Sequence, residues 1–120
     1  MYYEEIMGRL GFPSSELLRK ILEYLMTPEE AKVAAALPGS IDEIAGKLSM
    51  DKSRVGEVLE SLFRKGVAIP RDFKERSYYR LARNIVQLHD ATLASRHMRD
   101  PEYARLWKEF GEKEAHKVVG

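Results

Sequence analysis

The sequence contains no cysteine. That excludes disulfide scaffolds, thiol nucleophiles, iron–sulfur ligands and cysteine-based zinc sites among these residues. A reducing compartment is the matching expectation, and the chain is expected to be cytoplasmic. Long apolar runs are missing too. Nothing approaches the roughly 20 residues that span a bilayer, and Glu4 and Glu5 interrupt the stretch from Met1 to Leu10 where a signal peptide needs an apolar core. Histidine is scarce. His89 and His97 lie about two helical turns apart, too far to share one metal unaided, and His116 is remote in sequence. There is no glycine-rich phosphate loop, the serines are explained by helix caps, and no nucleophile and base are spaced to meet. The expectation is a chain with no catalytic residues, no metal site and no cofactor, and therefore not an enzyme. His89, beside Asp90, is expected to be a hydrogen-bonded structural histidine.

Net charge is also nearly absent: 20 Lys and Arg stand against 19 Asp and Glu. The balance conceals an asymmetry. Residues 1–60 carry 7 basic and 11 acidic side chains, whereas residues 61–120 carry 13 and 8. Between Lys52 and Arg83 the count is 9 basic to 4 acidic. A local excess of this kind can mark a nucleic-acid surface, although any solvated face can carry one. The length of 120 residues suits one compact domain, and 44% apolar with 32% charged residues is the make-up of an ordinary soluble globular protein.

The first half is a string of helices with clear punctuation. Tyr3, Ile6, Met7 and Leu10 form one helical stripe, ended by Gly11 and Pro13. Ser14 is the expected cap of a second helix that buries Leu17, Leu18, Ile21, Leu22 and Leu25. Thr27-Pro28-Glu29-Glu30 combines a cap, a proline suited to the first helical position and a capping-box glutamate; the helix it opens runs to about Leu37. Ser40-Ile41-Asp42-Glu43 repeats the pattern before a short helix through Leu48. Asp51 is the expected cap of another, which ends at Gly66 and buries Val55, Val58, Leu59, Leu62 and Phe63. Two helices joined by so short a turn are a helix-turn-helix candidate.

The period then changes. Val67–Pro70 and Ser77–Leu81 are short β-rich stretches around the charged turn 72–76, a two-stranded hairpin in which Pro70 suits an exposed edge or strand end. Adjacent Tyr78 and Tyr79 must face opposite ways, so one of them belongs to the core. Asn84–Met98 is expected to be helical with Ile85, Val86, Leu88, Leu93 and Ala94 on an apolar face. Asp100-Pro101 then starts a last helix carrying Tyr103, Leu106, Trp107 and Phe110. The fold class is mainly α: one domain over residues 1–120, with a helix-turn-helix core at about 40–82, one small β-hairpin, and flanking helices within 1–37 and 84–118.

The stretch Ile41-Asp42-Glu43-Ile44-Ala45-Gly46-Lys47-Leu48, the turn Ser49-Met50-Asp51-Lys52-Ser53-Arg54-Val55 and the run Leu59 to Ala68 through Gly66 resemble a winged helix-turn-helix domain of the MarR type. Small Ala45 lets the two helices approach, and Gly66 lets the second reverse into a strand. The resemblance implies a recognition helix starting near Lys52 and a wing formed by the hairpin. Double-stranded DNA is then the expected partner and transcription regulation the expected role, with Lys52, Ser53, Arg54 and Glu57 at the major groove and Arg71, Lys74 and Arg76 on the wing. It also implies a homodimer built through the terminal helices.

A second set of segments, Leu25–Ala31, Phe63–Ala68, Tyr78–Arg83 and Gln87–Thr92, is similar to the amino-terminal helical region of microbial ferredoxin-like proteins. In that family the region precedes a cysteine-rich domain holding four-iron–four-sulfur clusters. The similarity implies an alternative role as a protein-interaction or docking module of an iron–sulfur redox protein. The absence of cysteine is then the absence of that domain, and no cluster ligand carries over.

Overall fold

The computed structural model describes residues 2–95 and 100–114. Among them are seven helices and three short strands, in a mainly helical chain with one small antiparallel sheet.

Helix α1 (Tyr2–Arg9) buries Ile6 and Met7, and Gly11, at φ +90°, turns the chain. Helix α2 (Glu16–Leu25) begins one residue later than the sequence predicts. The cap is Ser15, not Ser14: its hydroxyl accepts from the Leu18 N–H at 3.0 Å. Phe12 causes the shift. It folds inward against the Phe110 ring, centroids 5.0 Å apart, and its carbonyl accepts from the Ser15 N–H. With that start, Leu18, Ile21, Leu22 and Leu25 face the core and Leu17 stays at its rim.

Helix α3 (Pro28–Ala35) opens with the expected capping box between Thr27 and Glu30, and ends at Ala35, two residues before the expected limit. A two-residue strand, β1 (Gly39–Ser40), follows. Ser40 leaves that strand and caps helix α4 (Ile41–Leu48), again through a complete capping box with Glu43. The turn into helix α5 (Lys52–Lys65) passes through Ser49 in the left-handed region, φ 55°. Asp51 occupies the cap position of α5, but its side chain makes no capping hydrogen bond. Helix α5 buries Val55, Val58, Leu59 and Leu62. Phe63, expected in the core, is only partly buried at its edge, with Phe73 and Arg76 over it.

Gly66 ends α5 at φ +86°, and a Cβ there would sit 2.5 Å from the Ala91 carbonyl oxygen. It therefore meets two demands together, a left-handed backbone and contact with the next helical layer. Strands β2 (Ala68–Pro70) and β3 (Tyr78–Leu81) form the expected hairpin. Strand β1 adds to the other side of β3, giving the order β1-β3-β2, antiparallel throughout. Pro70 does end an edge strand, yet its side chain is buried. Tyr79 and Leu81 point inward, while Tyr78 and Arg80 share the outer face.

Helix α6 (Ile85–Ala94) is capped by Asn84 and closes at Ser95; the expected continuation over 96–98 lies outside the described residues. Val86, expected on its apolar face, is 59% exposed. Helix α7 (Pro101–Lys113) starts at Asp100 as expected; the expected continuation over 115–118 lies outside the described residues. Helix α7 packs on α2, and α1 packs on α2 and α3. The stripes assigned to a dimer are accordingly buried inside the single chain: Ile6 and Met7 of α1, and Tyr103, Leu106, Trp107 and Phe110 of α7. Among the described residues no helix is long and apolar enough to cross a membrane.

Candidate nucleic-acid interface

The α4–α5 pair is held at its turn by local bonds. The Met50 N–H donates to the Ala45 carbonyl at 2.9 Å, and buried Ala45 keeps the approach close. Lys52, Ser53 and Arg54, in the first turn of α5, and Glu57 one turn on are all exposed. Exposure leaves these side chains accessible, but both cations are paired with carboxylates. Lys52 Nζ lies 3.3 Å from Asp42 Oδ1. Arg54 is held more firmly. Its Nε donates to Glu29 Oε2 at 3.0 Å, a second nitrogen reaches the other Glu29 oxygen, and Nη1 donates to Glu57 Oε2 at 3.0 Å. The bonds from Glu29 and Glu57 push the Arg54 guanidinium above its ordinary range, and the bond from Arg54 draws the Glu29 carboxyl below its own. Sequence reading brings Arg54 and Glu57 together on one helix face; Glu29, on α3, is supplied only by the fold.

The hairpin lies against the same helix. Arg76 Nη1 is 3.4 Å from Glu60 Oε2, and its guanidinium carbon sits 4.7 Å from the centre of the Phe63 ring. Phe73, 66% exposed, meets Phe63 edge-on from the hairpin tip. Ser53, Gly56, Glu60 and Arg64 recur at three- and four-residue spacing, so the stripe that begins beside Lys52 runs into the hairpin at Arg76. Arg71 stacks on Tyr78, its guanidinium carbon 3.8 Å from the ring centre. Lys74 projects from an Asx turn in which Asp72 Oδ1 accepts from the Lys74 N–H at 2.8 Å; its ammonium has no carboxylate partner among the described residues.

Two cations that belong to the basic excess of the sequence, but not to its expected DNA contacts, lie beside Arg71. Arg80 leaves the outer face of β3, and Nη1 donates to Gln87 Oε1 at 3.0 Å; the Arg83 N–H donates to the same oxygen at 2.7 Å. Burial lowers the Arg80 pKa from its ordinary value, and the nearby Arg83 charge lowers it further. The signal was present in the strand alternation, which places Arg80 beside Tyr78.

Among the described residues, the remaining titratable side chains do not converge on a reacting centre. His89 Nδ1 is 2.9 Å from Asp90 Oδ1, and its ring meets Trp107 edge-on. His97 and His116 lie outside the described residues. Among the described residues there is no group of three or more side chains placed to hold a metal ion. Comparison with protein-family models, with curated proteins and with solved structures finds no match for this chain.

Proposed function

We propose that this chain is a winged-helix module that binds double-stranded DNA, with α5 as the helix that enters the major groove and the β2–β3 hairpin as the wing. One observation carries the reading. The hairpin packs on α5, the helix whose start is exposed, where Arg76 reaches Glu60 and Phe63. A duplex needs that arrangement, because one element must read base edges while another holds the backbone. Lys52 and Ser53 are the residues of α5 positioned to meet phosphate or base edges first. Arg54 reaches a base only by exchanging its carboxylate partners for the DNA, and Glu57 is suited to accept from a cytosine amino group once Arg54 moves. Arg71, Lys74 and Arg76 contribute sequence-independent attraction.

The test compares variants across many duplex sequences. Arg54→Ala is expected to flatten the preference among sequences, whereas Lys74→Ala is expected to weaken all of them alike and reduce the salt dependence. Uniform loss in both variants would contradict the division of labour between helix and wing.

A second reading, a docking module for a protein partner such as an iron–sulfur domain, is favoured by the pairing of Arg54 with Glu29 and Glu57. A surface of matched charges is suited to a mixed-charge partner. DNA binding that is absent in the wild type and stays absent in Glu29→Gln would turn the assignment to this reading.

A further inference from the structure

The outer face of the sheet carries a groove of about 450 Å³ between the hairpin tip and the start of α6, lined by Ile69, Arg71, Phe73, Tyr78, Arg80 and Arg83. Its chemistry differs from that of the α5 face. Lys52, Arg54 and Arg76 each have a carboxylate partner. The described residues lining this groove supply three guanidinium groups and no carboxylate. Glu43, whose carboxyl feels the Arg71 charge, already accepts from the Ser40 N–H in the capping box of α4. Arg80 is half-buried and held in place by Gln87 and the Leu81 carbonyl. Ordering one arginine beside another, with no anion between them, costs free energy that a bound anion would recover.

From this arrangement we infer that Arg80 and Arg83, with Arg71, form a clamp for the sugar–phosphate backbone of the duplex, a contact separate from the α5 face. The inference rests on the DNA-binding reading and adds residues to it. The fork geometry of arginine suits phosphate oxygens, and Gln87 orients Arg80 before the ligand arrives, so little side-chain freedom is lost on binding. Tyr78 supports Arg71 by stacking. Phe73 provides an apolar edge at the mouth of the groove, against which a deoxyribose can pack.

The test uses the whole chain and labelled duplexes of random sequence, titrated at several salt concentrations. Arg83→Gln is the first variant, because the Arg83 side chain makes no hydrogen bond or ion pair among the described residues and its loss should leave folding intact. Arg80→Gln with Arg83→Gln is the second, checked by circular dichroism, and Lys52→Gln is the control on the other face. The double variant is expected to bind about 10- to 100-fold more weakly at low salt, with a salt slope shallower by about 2, since each phosphate contact contributes roughly 0.9. Arg83→Lys is expected to regain part of the loss. If Arg83→Gln and the double variant keep wild-type affinity and slope while Lys52→Gln weakens binding, the clamp is wrong and the DNA-binding reading stands. If the wild type binds no duplex, both fall. A preference for a single-stranded oligothymidylate over duplex, abolished in Phe73→Ala, would instead make the groove a single-strand site and overturn the assignment to a duplex backbone.

Discussion

Arg54 Nε donates to Glu29 Oε2 across 25 positions of sequence, so the start of α5 is bonded to the first turn of α3 on the face assigned to DNA. With Glu57 on the other side, Arg54 is positioned by two carboxylates that must yield when a phosphate or a guanine competes for it. These exposed pairs stabilise the free protein little, but each carboxylate also repels the approaching backbone.

Removing that repulsion should therefore improve binding. Glu29→Gln and Glu57→Gln are expected to raise affinity for non-specific duplex several-fold at low salt, with little change in melting temperature. Fluorescence anisotropy against a random duplex and a thermal melt give both readouts. Weaker binding in both variants would mean that the carboxylates hold Arg54 in its productive position instead of competing for it.

The polar contact between α3 and α5 has the opposite weight. Glu30, 7% exposed, accepts from the Thr27 N–H, the Ser61 hydroxyl and Lys65 Nζ, the last at 2.8 Å. Lys65 also donates to the Leu25 carbonyl. Lys65→Met removes the cation but leaves a buried carboxylate, and is expected to cost about 2 kcal/mol in urea unfolding at neutral pH.

The same cluster makes stability depend on acid. Burial alone would raise the Glu30 pKa, but the bonds from Lys65, Ser61 and the Thr27 backbone outweigh it and hold the carboxyl below its ordinary value. A depressed folded-state pKa contributes stability above the unfolded-state value of about 4.3, and that contribution disappears as pH falls through the folded-state value. Urea titrations from neutral pH to about pH 3 should show a loss that is smaller in Glu30→Gln. Parallel losses in the two proteins would assign the acid sensitivity to other carboxylates.

Among the described glycines, Gly66 is expected to be the least replaceable. Gly66→Ala places a methyl against the Ala91 backbone oxygen as well as forcing alanine to φ +86°. The combined cost should be about 3 kcal/mol or more, against about 1 kcal/mol if only the dihedral mattered. Chemical denaturation distinguishes the two. A small cost would show that α6 can retreat from the turn without losing its packing.

Much of the fold was legible because its punctuation is local. Thr27 with Glu30, Ser40 with Glu43, and Asp100 with Pro101 each encode a helix start within a few residues, and Gly66 encodes a stop. Strand β1 was not legible: two residues carry no alternation, and Gly39–Ser40 becomes a strand only by pairing with Tyr78 and Tyr79. Ser14 and Ser15 are equivalent as letters, and only the burial of Phe12 decides between them. For the candidate interface, sequence placed Lys52, Ser53 and Arg54 at an exposed helix start, but Glu29 and Asp42 reach them from other helices. Those partners depend on tertiary packing. Strand alternation marks Arg80 as outward-facing beside Tyr78, but that Arg71 and Arg83 share its groove without a carboxylate depends on tertiary packing.

The most direct measurement is the affinity of the wild-type chain for duplex fragments at about 50 mM and about 200 mM salt. A surface using four or five of its cations on phosphates should lose roughly two to three powers of ten in affinity between these conditions, since each neutralised phosphate releases bound counterions. A flat salt response, or no binding at about 50 mM salt, would contradict the assignment of this surface to DNA.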